Sequence, residues 1–172
     1  KNKYNHCINY ANNIDNLKKC KIIIDKLLEL DQYKDLKDSF TNEVVSSNMN
    51  NSFENILENY RKSKRGILHS CYILGEGFDE CIIDMVCISE NMQSNIRIVQ
   101  SLLRPHTLNP NNLDKEAIIL LPIISDDDEF IVNDNKKSNK IIDFLEKLAE
   151  SDENVIQRVK FIDFKNDKKK LE

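Results

Sequence analysis

The chain has 172 residues, of which 40% are hydrophobic and 31% are charged, and its formal net charge at pH 7 is −4. This composition excludes a disordered chain, and the length suffices for one domain with a sizeable core. No apolar run reaches membrane-spanning length and no signal peptide is visible, so we expect no membrane association. The negative charge argues against a strongly basic nucleic-acid binder but leaves a local basic edge open.

Cysteine usage indicates a reducing environment. The chain has five cysteines, an odd number, and none of them forms a C-x-x-C pair. This pattern is typical of buried thiols in the cytoplasm, with a viral or nuclear protein as the alternative. It also argues against a zinc site, so we expect no bound metal on this chain. The five positions are Cys7, Cys20, Cys71, Cys81 and Cys87.

The first elements in the chain are a predicted strand at residues 6–10 and a predicted helix at residues 14–30. Asn12 or Asn13 is placed to cap the helix, because a short polar side chain there can accept a hydrogen bond from a backbone amide of the first turn. The helix is expected to bury one apolar face. Its apolar residues at helical spacing are Ile14, Leu17, Ile24, Leu27 and Leu28.

Strands and helices are then predicted to alternate. Residues 31–41 form a polar connection, residues 44–47 a short strand, and residues 53–61 a helix that buries Phe53, Ile56, Leu57 and Tyr60. A basic link leads into an apolar central strand at residues 66–74, where His69 is expected to be a packed core residue. Such alternation predicts a parallel sheet with helices on both faces.

Right-handed crossovers place the carboxyl ends of parallel strands at one edge, and ligands of open sheets bind there. We therefore expect the loops at Asn12, Asn48, residues 71–79 and Glu90 to meet at this edge.

The central strand runs into a glycine turn. The whole chain has three glycines, and two of them are Gly75 and Gly77, which indicates a backbone turn that side chains would block. A second apolar run at residues 82–88 and a further one at residues 117–124 predict two more buried strands. Between them lies a predicted helix with a polar and basic face. That face carries Asn95, Arg97, Gln100 and Arg104.

These motifs resemble the second motor domain of superfamily 2 helicases. In that family a Gly-x-Asp element follows a strand, and a later helix carries Gln-x-x-Gly-Arg-x-x-Arg; the matching segments here are residues 77–79 (GFD) and 100–104 (QSLLR). Residues 94–101 (SNIRIVQS) are similar to the restriction-type branch, which includes helicases of large DNA viruses. The chain departs from the pattern at Leu103, which replaces the glycine, and at Thr107, which replaces the second arginine.

The resemblance implies a RecA-like, three-layer α/β domain over residues 1–164. Residues 165–172 are a charged tail by composition, and its last two residues, Leu171 and Glu172, are interpreted as a vector scar. It also implies a nucleotide site in which Arg104 is an arginine finger, helped by Gln100 and Arg97. Asp79 would accept a hydrogen bond from a ribose hydroxyl. The alternatives are a solvated helix-end arginine and a turn aspartate bonded to its own backbone. The turn glycines of this site are Gly75 and Gly77.

The same resemblance implies a nucleic-acid-facing edge formed by Tyr10, Asn12, Cys71 and Tyr72. Backbone amides and small polar groups there could hold phosphates without reading sequence. For the two tyrosines, the alternative is a core position from which the hydroxyl reaches the surface.

ATP and Mg²⁺ would be held mainly by an upstream RecA-like domain of the same polypeptide, because no G-x-x-x-x-G-K loop occurs in this chain. For the same reason the acidic run at residues 126–129 is interpreted as an exposed loop, and the isolated chain is predicted to be inactive. The expected substrate is single-stranded or duplex nucleic acid, DNA rather than RNA. The alternatives are a catalytically inactive module that binds nucleic acid or protein, and an unrelated doubly wound domain.

Overall fold

The computed structural model describes residues 4–46, 52–71, 74, 78, 80–90 and 100–121. These residues belong to one compact unit, Lys1–Asp128, and a second unit, Glu129–Glu172, lies outside the described part. Asn48, most of the glycine turn, residues 91–99, the acidic run and the charged tail also lie outside it. The expected domain boundaries therefore stay a prediction.

The described residues form a parallel five-stranded sheet, as predicted for a RecA-like α/β fold. The strand order is β2-β3-β1-β4-β5, so the first strand of the chain lies at the centre. Each neighbouring pair runs parallel, for example Ile8 of β1 beside Leu68 of β3 and Val86 of β4. The strands are β1 (His6–Tyr10), β2 (Phe40–Val45), β3 (Arg65–Ser70), β4 (Met85–Ile88) and β5 (Ile118–Leu120).

The described helices connect these strands. Helix α1 (Ile14–Leu28) follows β1, the single turn α2 (Lys34–Lys37) precedes β2, and α3 (Ser52–Lys62) joins β2 to β3. Residues 100–103 are helical and continue into a 3-10 turn, Arg104–His106.

Helices α1 and α3 cover opposite faces of the sheet. His6 and Asn9 are three positions apart in β1, so their side chains leave opposite faces. The His6 ring packs edge-on against Tyr60 of α3, with the ring centroids 4.9 Å apart. Asn9 lies on the other face, where it joins a buried polar chain beneath α1. This arrangement confirms the predicted three layers.

The buried polar chain links three strands to α1. Asn9 Nδ2 lies 3.1 Å from His69 Nδ1, and His69 Nε2 lies 2.8 Å from Asn42 Oδ1. Asn42 Nδ2 donates to the Lys21 carbonyl and to Asp25 Oδ1 of α1, at 2.9 and 2.7 Å. His69 is 1% exposed, which confirms the predicted core histidine. The chain satisfies polar groups that would otherwise be costly to bury, apart from Asn9 Oδ1, which has no hydrogen-bond partner among the described residues.

Close backbone packing fixes α3 against the sheet. The Tyr60 ring is fully buried, and its hydroxyl donates to the Cys7 carbonyl at 3.1 Å. Gly66 of β3 lies directly beneath that ring. A Cβ atom there would stand 2.8 Å from Tyr60 Cδ2 and 2.9 Å from the Thr41 carbonyl oxygen, so this position has room only for glycine.

Several predicted boundaries were wrong. Helix α1 ends at Leu28 rather than residue 30, because the amides of Glu29 and Leu30 make bonds to carbonyls three residues back, which tighten the chain. Strand β2 begins at Phe40 rather than residue 44, because its polar residues are satisfied by α1. Strand β3 ends at Ser70 rather than residue 74.

The predicted strand at residues 82–88 is shortened at its start. Strand β4 begins at Met85, because the preceding residues make a turn in which the Ile83 amide donates to the Glu80 carbonyl. Asp84 then bonds across to the beginning of β1. Its carboxylate accepts from the amides of Asn5 and His6 at 2.8 and 2.9 Å.

Candidate functional site

Three loops meet where β1 ends, at the carboxyl edge of the sheet. The Cys71 thiol, after β3, donates to the Asn12 carbonyl, after β1, at 3.3 Å. The Asn12 amide donates to Glu90 Oε2, after β4, at 2.8 Å. The expected meeting of these three loops is confirmed, while Asn48 lies outside the described residues.

The strand order makes this meeting point a topological switch. From β1 the chain passes through α1 to β2, on one side of β1; from β3 it passes to β4, on the other side. When crossovers are right-handed, two connections that lead towards opposite edges of a sheet pack on opposite faces of that sheet. A crevice outside the strand ends is the usual ligand position in such sheets.

The start of α1 is held by hydrogen bonds from within the helix and from the loop after β4. Asn13 is the N-cap, since its Oδ1 accepts from the Asp15 amide at 2.7 Å. Asn16, in the first turn, donates its side-chain amide to Glu90 Oε1 and accepts from Lys19 Nζ at 3.4 Å. Of the two asparagines proposed as caps, Asn13 therefore fills the role and Asn12 lies just outside the helix.

Tyr10 supports the edge from below. Its side chain is 2% exposed and its hydroxyl donates to the Leu74 carbonyl at 2.8 Å. Burial raises the pKa of this hydroxyl to about 12, although the Arg104 guanidinium and the Ser101 hydroxyl beside it act in the opposite direction. The phenol is therefore neutral, and its burial agrees with the core alternative for Tyr10.

Arg104 connects the helix before β5 to the loop after β3. It is half-buried, and its Nη1 donates to the Phe78 carbonyl. It also reaches the Tyr10 hydroxyl. Gln100 is half-buried and lies one helical turn earlier. The other predicted residues of the nucleotide site and edge lie outside the described residues: Arg97, Gly75, Gly77, Asp79 and Tyr72.

Cys71 acts as a hydrogen-bond donor at this edge. Desolvation raises the pKa of its thiol, and the Glu90 carboxylate nearby raises it further. The protonated thiol is a weak nucleophile, because only the thiolate attacks. The structure therefore favours a role for Cys71 as a hydrogen-bond donor to the Asn12 carbonyl over a role as a nucleophile.

Sequence reasoning missed two acidic residues with long-range partners, Asp84 and Glu80, the latter 7% exposed and 2.6 Å from Arg61 Nε. It placed Glu90 at this edge but did not identify its partners. The available signal was an acid flanking a short apolar run, which does not identify its partner. Among the described residues, no cluster of three His, Cys, Asp or Glu side chains could hold a metal ion.

Comparison with known proteins establishes a likeness of fold. No family model matches the chain, and no curated protein matches it. Among solved structures, it resembles a chain of the "ATP-dependent Type ISP restriction-modification enzyme LlaBIII bound to DNA", with a TM-score of 0.60 and 16% sequence identity. The match covers 88% of this chain and 10% of that chain, so this chain spans about a tenth of that enzyme's chain. None of the described helices is long and apolar enough to cross a membrane.

Proposed function

We propose that this chain is the second RecA-like motor domain of an ATP-dependent helicase or translocase that acts on nucleic acid, DNA in preference to RNA. The observation that carries the proposal is the switch point at the end of β1, where the loops of β1, β3 and β4 are hydrogen-bonded into one edge. The likeness to a chain of an ATP-dependent, DNA-bound enzyme supports it.

Arg104 is the proposed arginine finger for ATP and Mg²⁺ held by an upstream RecA-like domain. A guanidinium is always charged and can donate two hydrogen bonds at once to a phosphate. In the described conformation Arg104 donates to the carbonyl of Phe78, the residue that precedes the proposed ribose contact Asp79 in the sequence. Docking of the nucleotide would exchange that carbonyl for phosphate oxygens. The remaining residues of the proposed site are Gln100, Arg97, Gly75 and Gly77.

The proposed nucleic-acid track runs over the edge at Asn12 and Cys71, and Tyr72, the next residue in the sequence, is a further proposed contact. Tyr10 contributes by supporting the loop at Leu74 rather than by contact, since its side chain is 2% exposed. Opening and closing of the cleft between the two motor domains would then move the strand along this edge.

A second candidate is a binding module without turnover. It is favoured by Thr107, which stands where the family has a second arginine, and by the engagement of Arg104 with the chain's own Phe78 carbonyl and Tyr10 hydroxyl. In this case the edge would bind nucleic acid or protein without coupling to ATP.

Nucleic-acid-stimulated ATP hydrolysis by the full-length protein separates the two candidates. Removal of an arginine finger lowers turnover by about a thousandfold or more, so Arg104→Ala should do so while ATP binding is largely kept. Arg61→Ala is the matched control, because Arg61 is also an arginine bound by the chain itself, at Glu80. Equal turnover in all three proteins would reject the finger, and absence of turnover in wild type would favour the binding module.

A further inference from the structure

We propose that Glu90 is a positioning residue that holds the start of α1 in the geometry needed for nucleic-acid contact. The proposal rests on the nucleic-acid track proposed above. It concerns a residue whose bonds reach far along the chain, since its carboxylate joins Asn12 and Asn16, which precede it by 78 and 74 positions.

The backbone of Asn12 is held by hydrogen bonds to two neighbouring loops. Its N–H group donates to Glu90, at 2.8 Å, and its carbonyl accepts from the Cys71 thiol, at 3.3 Å. Ser89, next to Glu90, donates both its amide and its hydroxyl to the Tyr10 carbonyl, at 3.0 and 3.1 Å. The turn between β1 and α1 is thus fixed by the strands on either side of it.

Glu90 also completes the start of the helix. In a capping box, an acidic side chain in the first turn reaches back to the amide at the cap. Here the third residue of the helix is Asn16, whose side-chain NH2 group donates to Glu90 and whose Oδ1 accepts from Lys19. Glu90, in the loop after β4, supplies a carboxylate that accepts from both Asn16 and the Asn12 amide just before the cap. A negative charge at this end of a helix is also favoured by the helix dipole.

The test measures the affinity of the full-length protein for a fluorescent single-stranded DNA oligonucleotide, together with the melting temperature. The Glu90→Ala variant loses a charge-assisted hydrogen bond, so its affinity for the oligonucleotide should be about tenfold lower than that of wild type, or lower still. Glu90→Gln keeps an acceptor for the Asn12 amide, so it should stay within about threefold of wild type. Asn42→Ala is the control: it removes the α1 bond to β2, far from the edge, and should lower the melting temperature without weakening binding.

The possible failures are distinguishable. If wild type binds and Glu90→Ala binds equally well, the positioning role is wrong while the track stands. If Glu90→Gln binds more tightly than wild type, Glu90 acts by repelling phosphates, and the positioning role is again wrong. If Asn42→Ala weakens binding as much as Glu90→Ala, loss of stability alone explains the effect. A wild-type protein that binds no nucleic acid overturns the proposed function and the role of Glu90 together.

Discussion

The protonation state of His69 follows from its neighbours. Asn42 Nδ2 is engaged by the Lys21 carbonyl and by Asp25, so Asn42 Oδ1 must face the ring and accept from His69 Nε2. His69 Nδ1 then accepts from Asn9 Nδ2. Burial lowers the pKa of His69 to about 4, and the Lys21 charge acts in the same direction. The ring is therefore neutral near pH 7.

This lowered pKa predicts a loss of stability in acid. Below pH 6.5 the unfolded chain binds a proton at His69 while the folded chain does not, until the pH approaches 4. The contribution is thus fully present above pH 6.5 and is lost as the pH falls towards 4. Between pH 7 and pH 4.5 the free energy of unfolding should drop by about 2 kcal/mol from this group. Urea titrations of wild type and His69→Gln at both pH values measure it.

The variant should be less stable at pH 7 but should lack this part of the pH dependence. His6→Gln is a useful comparison, since burial also lowers the pKa of His6 while the Asp84 carboxylate opposes the shift. A slope that is unchanged in His69→Gln would show that other groups cause the acid sensitivity.

Gly66→Ala should destabilise the fold by about 2 kcal/mol, because overpacking forces neighbours to move. The Tyr60 ring could shift away from the new methyl group, but the Thr41 carbonyl belongs to the neighbouring strand and could not. Thermal melting of the variant measures the effect. A change below about 0.5 kcal/mol, the range of ordinary surface substitutions, would show that β2 and β3 can separate at this point.

At the scale of elements, the bounds of a strand or helix could be predicted where they depend on residues close together in the sequence. The apolar run at residues 6–10 became β1 with its predicted bounds, and Asn13 begins α1. Helix α1 has more apolar residues than one buried face needs, so Leu27 is 41% exposed although its spacing predicted an inward position. The start of β2 was missed because Asn42 is polar, and its partners on α1 are 17 and 21 residues away.

The cap of α1 gives a prediction at the same scale. Asn13→Ala should lower the free energy of unfolding by about 1 kcal/mol, because the Asp15 amide loses its acceptor. Asn13→Ser keeps a side-chain oxygen at the cap and should restore most of the loss. Chemical denaturation of the two variants measures the difference, and equal stability of alanine and serine would mean that Glu90 alone holds this end of the helix.

At the scale of the whole molecule, the class of fold could be predicted and the composition of the candidate site only in part. Alternation of strands and helices indicates a parallel sheet, and topology then places the loops at one edge. The bonds within that edge join Asn12 to Cys71 and to Glu90, which are 59 and 78 positions apart in the chain. The spacing of apolar residues does not reveal such distant pairs. The sequence therefore predicted that Glu90 lies at the edge but not that it bonds to Asn12 and Asn16.

The isolated 172-residue chain should hydrolyse no ATP above background, with or without DNA, because it has no G-x-x-x-x-G-K loop to hold the phosphates. Release of inorganic phosphate measures this, with the full-length protein as the positive control. Turnover by the isolated chain that persists through further purification would contradict the proposed role as a second motor domain.

The central position of β1 has a consequence for how the protein folds. Its residues pair with partners far along the chain: His6 pairs with Gly66, and Ile8 pairs with Val86. A sheet assembled from such non-local pairs has a high contact order, which slows folding, because long loops must close before their contacts form. On the ribosome, β1 must wait first for β3 and then for β4 to emerge. Until β3 emerges both edges of β1 are unpaired, and one edge stays open until β4 follows, which exposes the nascent chain to aggregation.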